Sequence, residues 1–130
     1  MTGRERFRTG SPFEQRFGFS RAIRVGDRIE VAGTAPIPLD GSPPPVSAHD
    51  QMLVCGELAI GALGRLGGAV SDVVRVRMFI VDVIDADDVG AAFGAMFGGA
   101  APVATMVVVA GLLDPRWRVE IEVEAVVGAG

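Results

Sequence analysis

The sequence predicts an α+β domain: one mixed sheet covered on a single face by two helices. Three observations carry that reading. Segments with clear alternation along the chain recur at 72–83 and 117–127, the pattern of strands with one covered face. Two segments, 47–66 and 85–97, instead place apolar residues at helical spacing, and each runs into a Gly-Gly pair. In chain order the elements read ββαβαββ, and two amphipathic helices then need one common sheet to cover. At 130 residues the chain suits one compact domain rather than two.

Taken in order, residues 1–17 show weak periodicity and are expected to form a loose arm, with the domain proper over 18–128. FSRAIRV (19–25) and RIEVAG (28–33) flank Gly26-Asp27, which suits a tight hairpin turn. The stretch 36–46 holds five prolines and must be a loop, because Pro supplies no ladder donor. Ser47 then opens a capping pattern with Asp50, followed by Met52, Cys55, Ala59, Leu63 and Leu66 on one helical stripe. Gly56, Gly61 and Gly64 weaken that helix by about 1 kcal/mol each relative to Ala, so it is expected to lie close on the sheet where side chains are missing.

In the strand 72–83, Val74, Val76, Met78 and Ile80 share one face, and Arg75, Arg77 and Phe79 the other. Asp85 with Asp88 forms the expected second cap, before the stripe Val89, Ala92, Phe93, Met96 and Phe97. Strands at 104–109 and 117–127 close the domain, the last with Glu120, Glu122 and Glu124 on one face. The sheet face away from the helices thus carries two arginines and three glutamates. Water could cover it, or a second subunit whose charges pair with them.

Composition removes several chemistries. A net charge of −4 argues against nucleic acid as a partner, and no apolar run is long enough for a membrane span. A single cysteine, Cys55, forms no intrachain disulfide, in keeping with a cytoplasmic setting. All 12 basic residues are Arg and there is no Tyr, which removes lysine Schiff-base and tyrosine acid chemistry. His49 is the one histidine, so a multi-histidine metal site within one chain is excluded. No cofactor is expected. Carboxylates, hydroxyls, arginines and backbone groups remain.

The strings GFSRAIRVGDRIEVAGTAPI (18–37), DVVRVRMFIVDV (72–83), AAFGAMFGGAAPVATMVVVA (91–110) and VEIEVEAVV (119–127), in this order and spacing, resemble the RidA/YjgF family, also called reactive intermediate deaminases and endoribonuclease L-PSP proteins. The resemblance implies a chorismate-mutase-like fold and a homotrimer with small-molecule clefts between subunits. In its deaminase branch it implies hydrolysis of imines or enamines to carbonyl products and ammonia. There, an arginine in a P-x-R-[ST] pattern binds the substrate carboxylate, a glutamate on the last strand positions water, and backbone of an S-G pair lines the pocket.

Carried over residue by residue, the match is mixed. Phe19 stands at the usual Tyr position, Ala32-Gly33 at the S-G pair, Gly90 at a position often Asn, and Met106 at a small polar or Cys position. Glu120 is retained as the catalytic candidate. In Pro102-Val103-Ala104-Thr105 an alanine replaces the arginine, which is similar to the arginine-less subgroup and makes 2-imino acids poor substrates. Arg21 is a candidate replacement anchor, weighed against a structural role, and Thr105 a candidate ligand contact. Glu120 itself is weighed against ion pairing with Arg75 or Arg77 at a subunit interface, along with Glu122 and Glu124. Three functions follow: an imine or enamine hydrolase, a non-catalytic metabolite-binding trimer, and the ribonuclease of the historical name, which the acidic composition and absence of a Lys/His pair disfavour.

Overall fold

The computed structural model describes residues 3–128. Its strands are β1 (Arg4–Phe7), β2 (Ala22–Val25), β3 (Arg28–Thr34), β4 (Val73–Ile80), β5 (Val103–Val108) and β6 (Val119–Val126); its helices are α1 (Pro12–Phe17), α2 (Ala48–Arg65) and α3 (Ala86–Phe97). The six strands make one sheet in the order β1-β2-β3-β6-β4-β5. Only the β4–β5 pair is parallel, because the α3 crossover returns the chain in the same direction. The expected ββαβαββ order is present from β2 to β6.

The N-terminal arm is a correction. From residue 4 it is built rather than loose: β1 pairs antiparallel with β2 from Arg4 opposite Val25 to Phe7 opposite Ala22, and α1 follows. Ser11 caps α1 by accepting from the Glu14 N–H, Pro12 supplies the preset first-turn φ, and Gly18 ends it at φ 83°. Residues 1 and 2 of that arm lie outside the described residues.

The core lies between the helices and one sheet face. Ile29, Val31, Val76, Met78, Ile80, Val119, Ile121 and Val123 from the sheet meet Met52, Cys55, Ala59 and Leu63 of α2 and Val89, Ala92 and Phe97 of α3. One face assignment changes. Val73 is buried and Val74 is 39% exposed, since a register shift between Val73 and Arg75 against β6 turns the alternation by one residue. Ser47 caps α2 as expected, accepting from the Asp50 N–H at 3.1 Å. Asp85 makes no side-chain cap for α3; it is buried and takes the Arg118 guanidinium, Nε to Oδ2 at 3.2 Å.

Close approach explains one of the three interior α2 glycines, and the neighbour is α3 rather than the sheet. A Cβ on Gly56 would collide with the Met96 thioether, whereas none on Gly61 or Gly64 would meet an atom within 4 Å. Gln51, absent from the apolar stripe, holds the connections instead. It is 1% exposed, its Nε2 donates to the carbonyls of Pro45 (2.8 Å) and Arg116 (2.9 Å), and its Oε1 accepts from the Arg118 N–H at 2.7 Å. The proline-rich loop and the approach to β6 are thereby pinned to one helix.

Candidate functional site

The sheet face away from the helices separates its three glutamates by register. Arg75 lies opposite Glu124 and Arg77 opposite Glu122, but Glu120 lies opposite Phe79. Arg77 Nη1 accordingly contacts Glu124 at 2.7 Å and Glu122 at 3.6 Å, with Arg75 Nε 3.9 Å from Glu124. Glu120 has no salt bridge among the described residues. Within the chain, Arg75 and Arg77 thus pair with Glu122 and Glu124 and leave Glu120 apart.

Glu120 instead faces β3. Pairing between β3 and β6 shifts register between Val31 and Thr34, and Gly33 lies in that irregular stretch. A Cβ at Gly33 would collide with Glu120 Oε2, so the missing side chain is what lets the carboxylate rest against the β3 backbone. Burial raises the Glu120 pKa above its ordinary value, opposed by the nearby positive charge of Arg21 and assisted by Glu122.

Arg21 enters from the connection between α1 and β2. Its Nη2 donates to the Gly33 carbonyl at 2.8 Å, and its guanidinium carbon stands 5.6 Å from the Phe19 ring centroid, within cation–π range. Burial lowers its pKa, while Glu14 and Glu120 pull the other way. Glu14 is 3% exposed. Burial acts to raise its pKa, but the hydroxyl and N–H bonds from Thr9 and the charge of Arg21 leave it below the ordinary value.

Glu120, Gly33, Arg21 and Phe19 all line one cavity of about 520 Å³, within the range of small-molecule sites. Its walls are mainly apolar and come from the N-terminal segment, the 34–39 loop, the outer side of α2, Leu113 and Trp117. Two donors at this site, Arg21 Nε and Trp117 Nε1, are buried and lack a hydrogen-bond partner among the described residues.

The remaining candidates lie elsewhere in the chain. Ala104 and Thr105 are exposed on the edge strand β5, opposite Val76 and Arg77 of β4. Met106 aligns with Met78 and packs against the core. Gly90 is on α3 with open space where a Cβ would be. Neither His49, exposed beside Asp50, nor buried Cys55, whose thiol burial pushes further up, belongs to the cavity. Sequence reasoning missed Phe7, Phe13, Phe17 and Trp117 as cavity residues; a Ser-Pro-x-Glu helix start ahead of Gly18 was the available signal for Phe13 and Phe17. Among the described residues no cluster of His, Cys, Asp or Glu could hold a metal, and no helix is long and apolar enough to cross a membrane.

A mixed sheet with two helices on one face, and a carboxylate set over a β3 glycine in a small-molecule-sized cavity, define the class. Comparison with known proteins identifies the family. The sequence model described as Endoribonuclease L-PSP matches residues 10–127, and the chain belongs to that family, the YjgF/RidA proteins. An uncharacterized protein of Streptomyces coelicolor is 38% identical over 124 residues, covering 95% of this chain and 92% of its own. The crystal structure of Rv2704 from Mycobacterium tuberculosis, a member of the YjgF/YER057c/UK114 family, superposes with a TM-score of 0.89 at 34% identity, covering 96% of this chain and all of its own (100%). PA3499 of Pseudomonas aeruginosa, a protein of unknown function, gives 0.85 at 27% identity over 98% and 95% of the two chains.

Proposed function

We propose that this chain is a RidA-like small-molecule protein whose cavity at Glu120 hydrolyses a reactive imine or enamine other than a 2-imino acid. The reading rests on Glu120: of three glutamates on one strand face, it alone leaves the ion-pair network and sits, with a raised pKa, over the Gly33 backbone in a cavity. Such a carboxylate can accept a proton from water as the water adds to the C=N carbon. Proton transfer to nitrogen and collapse of the resulting carbinolamine release ammonia and leave a carbonyl product. The Gly33 and Arg21 groups orient the polar end, and Phe19 forms part of the apolar wall.

Ala104 sets the substrate limit. Removing one partner of a buried charge pair costs roughly 3–5 kcal/mol, or a rate loss on the order of a hundred to several thousand-fold. A homotrimer fits the separated positions of the candidates, since a cleft between copies would bring Ala104 and Thr105 of one to the Glu120 cavity of the next. The apolar edge strand favours such association, with Val103 56% and Val108 54% exposed. The missing arginine also favours a second reading, a trimer that binds a metabolite without turning it over. A cytoplasmic setting, with no cofactor and no nucleic-acid partner, accords with both.

The test is a coupled ammonia assay with a freshly generated 2-imino acid, comparing the wild type, Ala104→Arg and Glu120→Gln, alongside a carboxylate-free imine. Turnover of the carboxylate-free imine that is lost in Glu120→Gln supports the hydrolase. Rapid turnover of the 2-imino acid by the wild type contradicts the Ala104 argument. Tight ligand binding with no turnover of either substrate selects the binding protein.

A further inference from the structure

One wall of the cavity comes from the N-terminal β1–α1 segment, and nothing in the chemistry of Glu120 requires it. Phe13 and Phe17 stack with ring centroids 6.2 Å apart, and both line the cavity together with Phe7 and Leu113. Phe17 is 61% and Leu113 77% exposed, apolar surface presented at the site rather than consumed by the core. The segment is held by Glu14, which accepts from the Thr9 N–H at 2.9 Å and from the Thr9 hydroxyl.

The charges at the site point the same way. Arg21 is drawn on by two carboxylates, Glu14 and Glu120, and one end of its guanidinium is committed to the Gly33 carbonyl. An incoming carboxylate would meet a cation already compensated, plus the like charge of Glu120. By contrast, Arg21 Nε and Trp117 Nε1 are donors without an acceptor, and an uncharged C=O or C=N group is an acceptor without a charge.

We propose that this cavity selects an uncharged small molecule with an aromatic body and a carbonyl- or imine-type acceptor, and that the β1–α1 segment is its specificity element. The proposal rests on the reading of the Glu120 cavity as a ligand site, but not on that site being catalytic.

Trp117 is the one tryptophan and the chain has no tyrosine, so intrinsic fluorescence reports directly on a cavity residue. Titrations with phenylacetamide, phenylacetate, phenethylamine and acetamide separate body from head group. Phenylacetamide should give a saturable change and bind about tenfold tighter than phenylacetate or acetamide at neutral pH. Phe13→Ala and Phe17→Ala should each weaken phenylacetamide several-fold while acetamide is unmoved. The exposure of Phe17 keeps that variant foldable, which circular dichroism checks. Phenylacetate or phenethylamine binding as tightly as the amide overturns the proposal, and so does an emission that no probe moves. A change of oligomeric mass in Phe17→Ala, with no probe binding, would assign the apolar wall to a second copy of the chain and overturn it as well. Glu120→Gln should still bind the amide, with its preference over phenylacetate reduced because the like charge is gone. If that variant also keeps full hydrolysis, the catalytic reading fails while the ligand class stands.

Discussion

The carboxylate of Glu120 occupies the space that a Cβ on Gly33 would fill. The two residues come from β6 and β3, where the pairing register breaks between Val31 and Thr34. The group Gly33 displaces is the far end of a flexible side chain rather than backbone, so Gly33→Ala should move Glu120 without unfolding the sheet. The expected outcome is a stability change within about 1 kcal/mol, with ligand binding or turnover reduced at least as much as in Glu120→Gln. Thermal melting and the activity assay together check this; a melt lowered by many degrees would show that Gly33 serves the fold instead.

Glu14 and Glu120 should carry opposite pH signatures. Glu14 has a folded pKa below its ordinary 4.5, so its stabilising contribution is present above the unfolded value and is lost as pH falls through the folded one. Glu120 has a folded pKa above 4.5, so its contribution is present below the unfolded value and is lost as pH rises through the folded one. Urea unfolding between about pH 3 and pH 7 should show Glu14→Gln losing most, relative to wild type, at neutral pH. Over the same range Glu120→Gln should gain relative to wild type as pH rises.

Gln51 satisfies three backbone groups from two separate connections. Gln51→Leu keeps the volume and leaves those groups unpaired, so it should destabilise the fold by about 2–4 kcal/mol. Denaturant midpoints measure the loss, and hydrogen exchange should locate it at 46–47 and 116–118.

Gly56 and Gly64 lie in the same helix with different surroundings. Gly64 is exposed with open space at its Cβ position, so Gly64→Ala should stabilise by about 0.5–1 kcal/mol. Gly56 abuts Met96 and Phe97 of α3, and Gly56→Leu should force the two helices apart and lower the melting temperature markedly. Equal effects of the two substitutions would contradict the assigned packing.

Much of this architecture was legible along the chain. Alternation identified β4 and β6, and helical stripes with Ser47 before one and glycines after both identified α2 and α3. The ββαβαββ order and four spaced strings then indicated the family. The N-terminal segment was less legible because its strand is only four residues long and rich in arginine; its edge pairing to β2, not its composition, makes it a strand. Gln51 was passed over because a polar residue beside an apolar stripe looks exposed until its three partners, one 67 residues away, are known. Of the candidate site, Phe19, Arg21, Gly33 and Glu120 share one cavity, while Gly90, Ala104, Thr105 and Met106 lie apart in the chain.

By itself the sequence determined the order of elements, the family resemblance and the alanine at position 104, because each of these is carried by residues close together in the chain. Alternation sends Glu120, Glu122 and Glu124 to one face, and only the family resemblance favoured Glu120 among them. The tertiary structure supplied the physical difference. Cross-strand register set Glu122 and Glu124 opposite arginines and Glu120 opposite Phe79, and the break in the β3 ladder opened a glycine beneath it. Register between strands remote in sequence is fixed by the packing of the whole sheet, which no local pattern encodes.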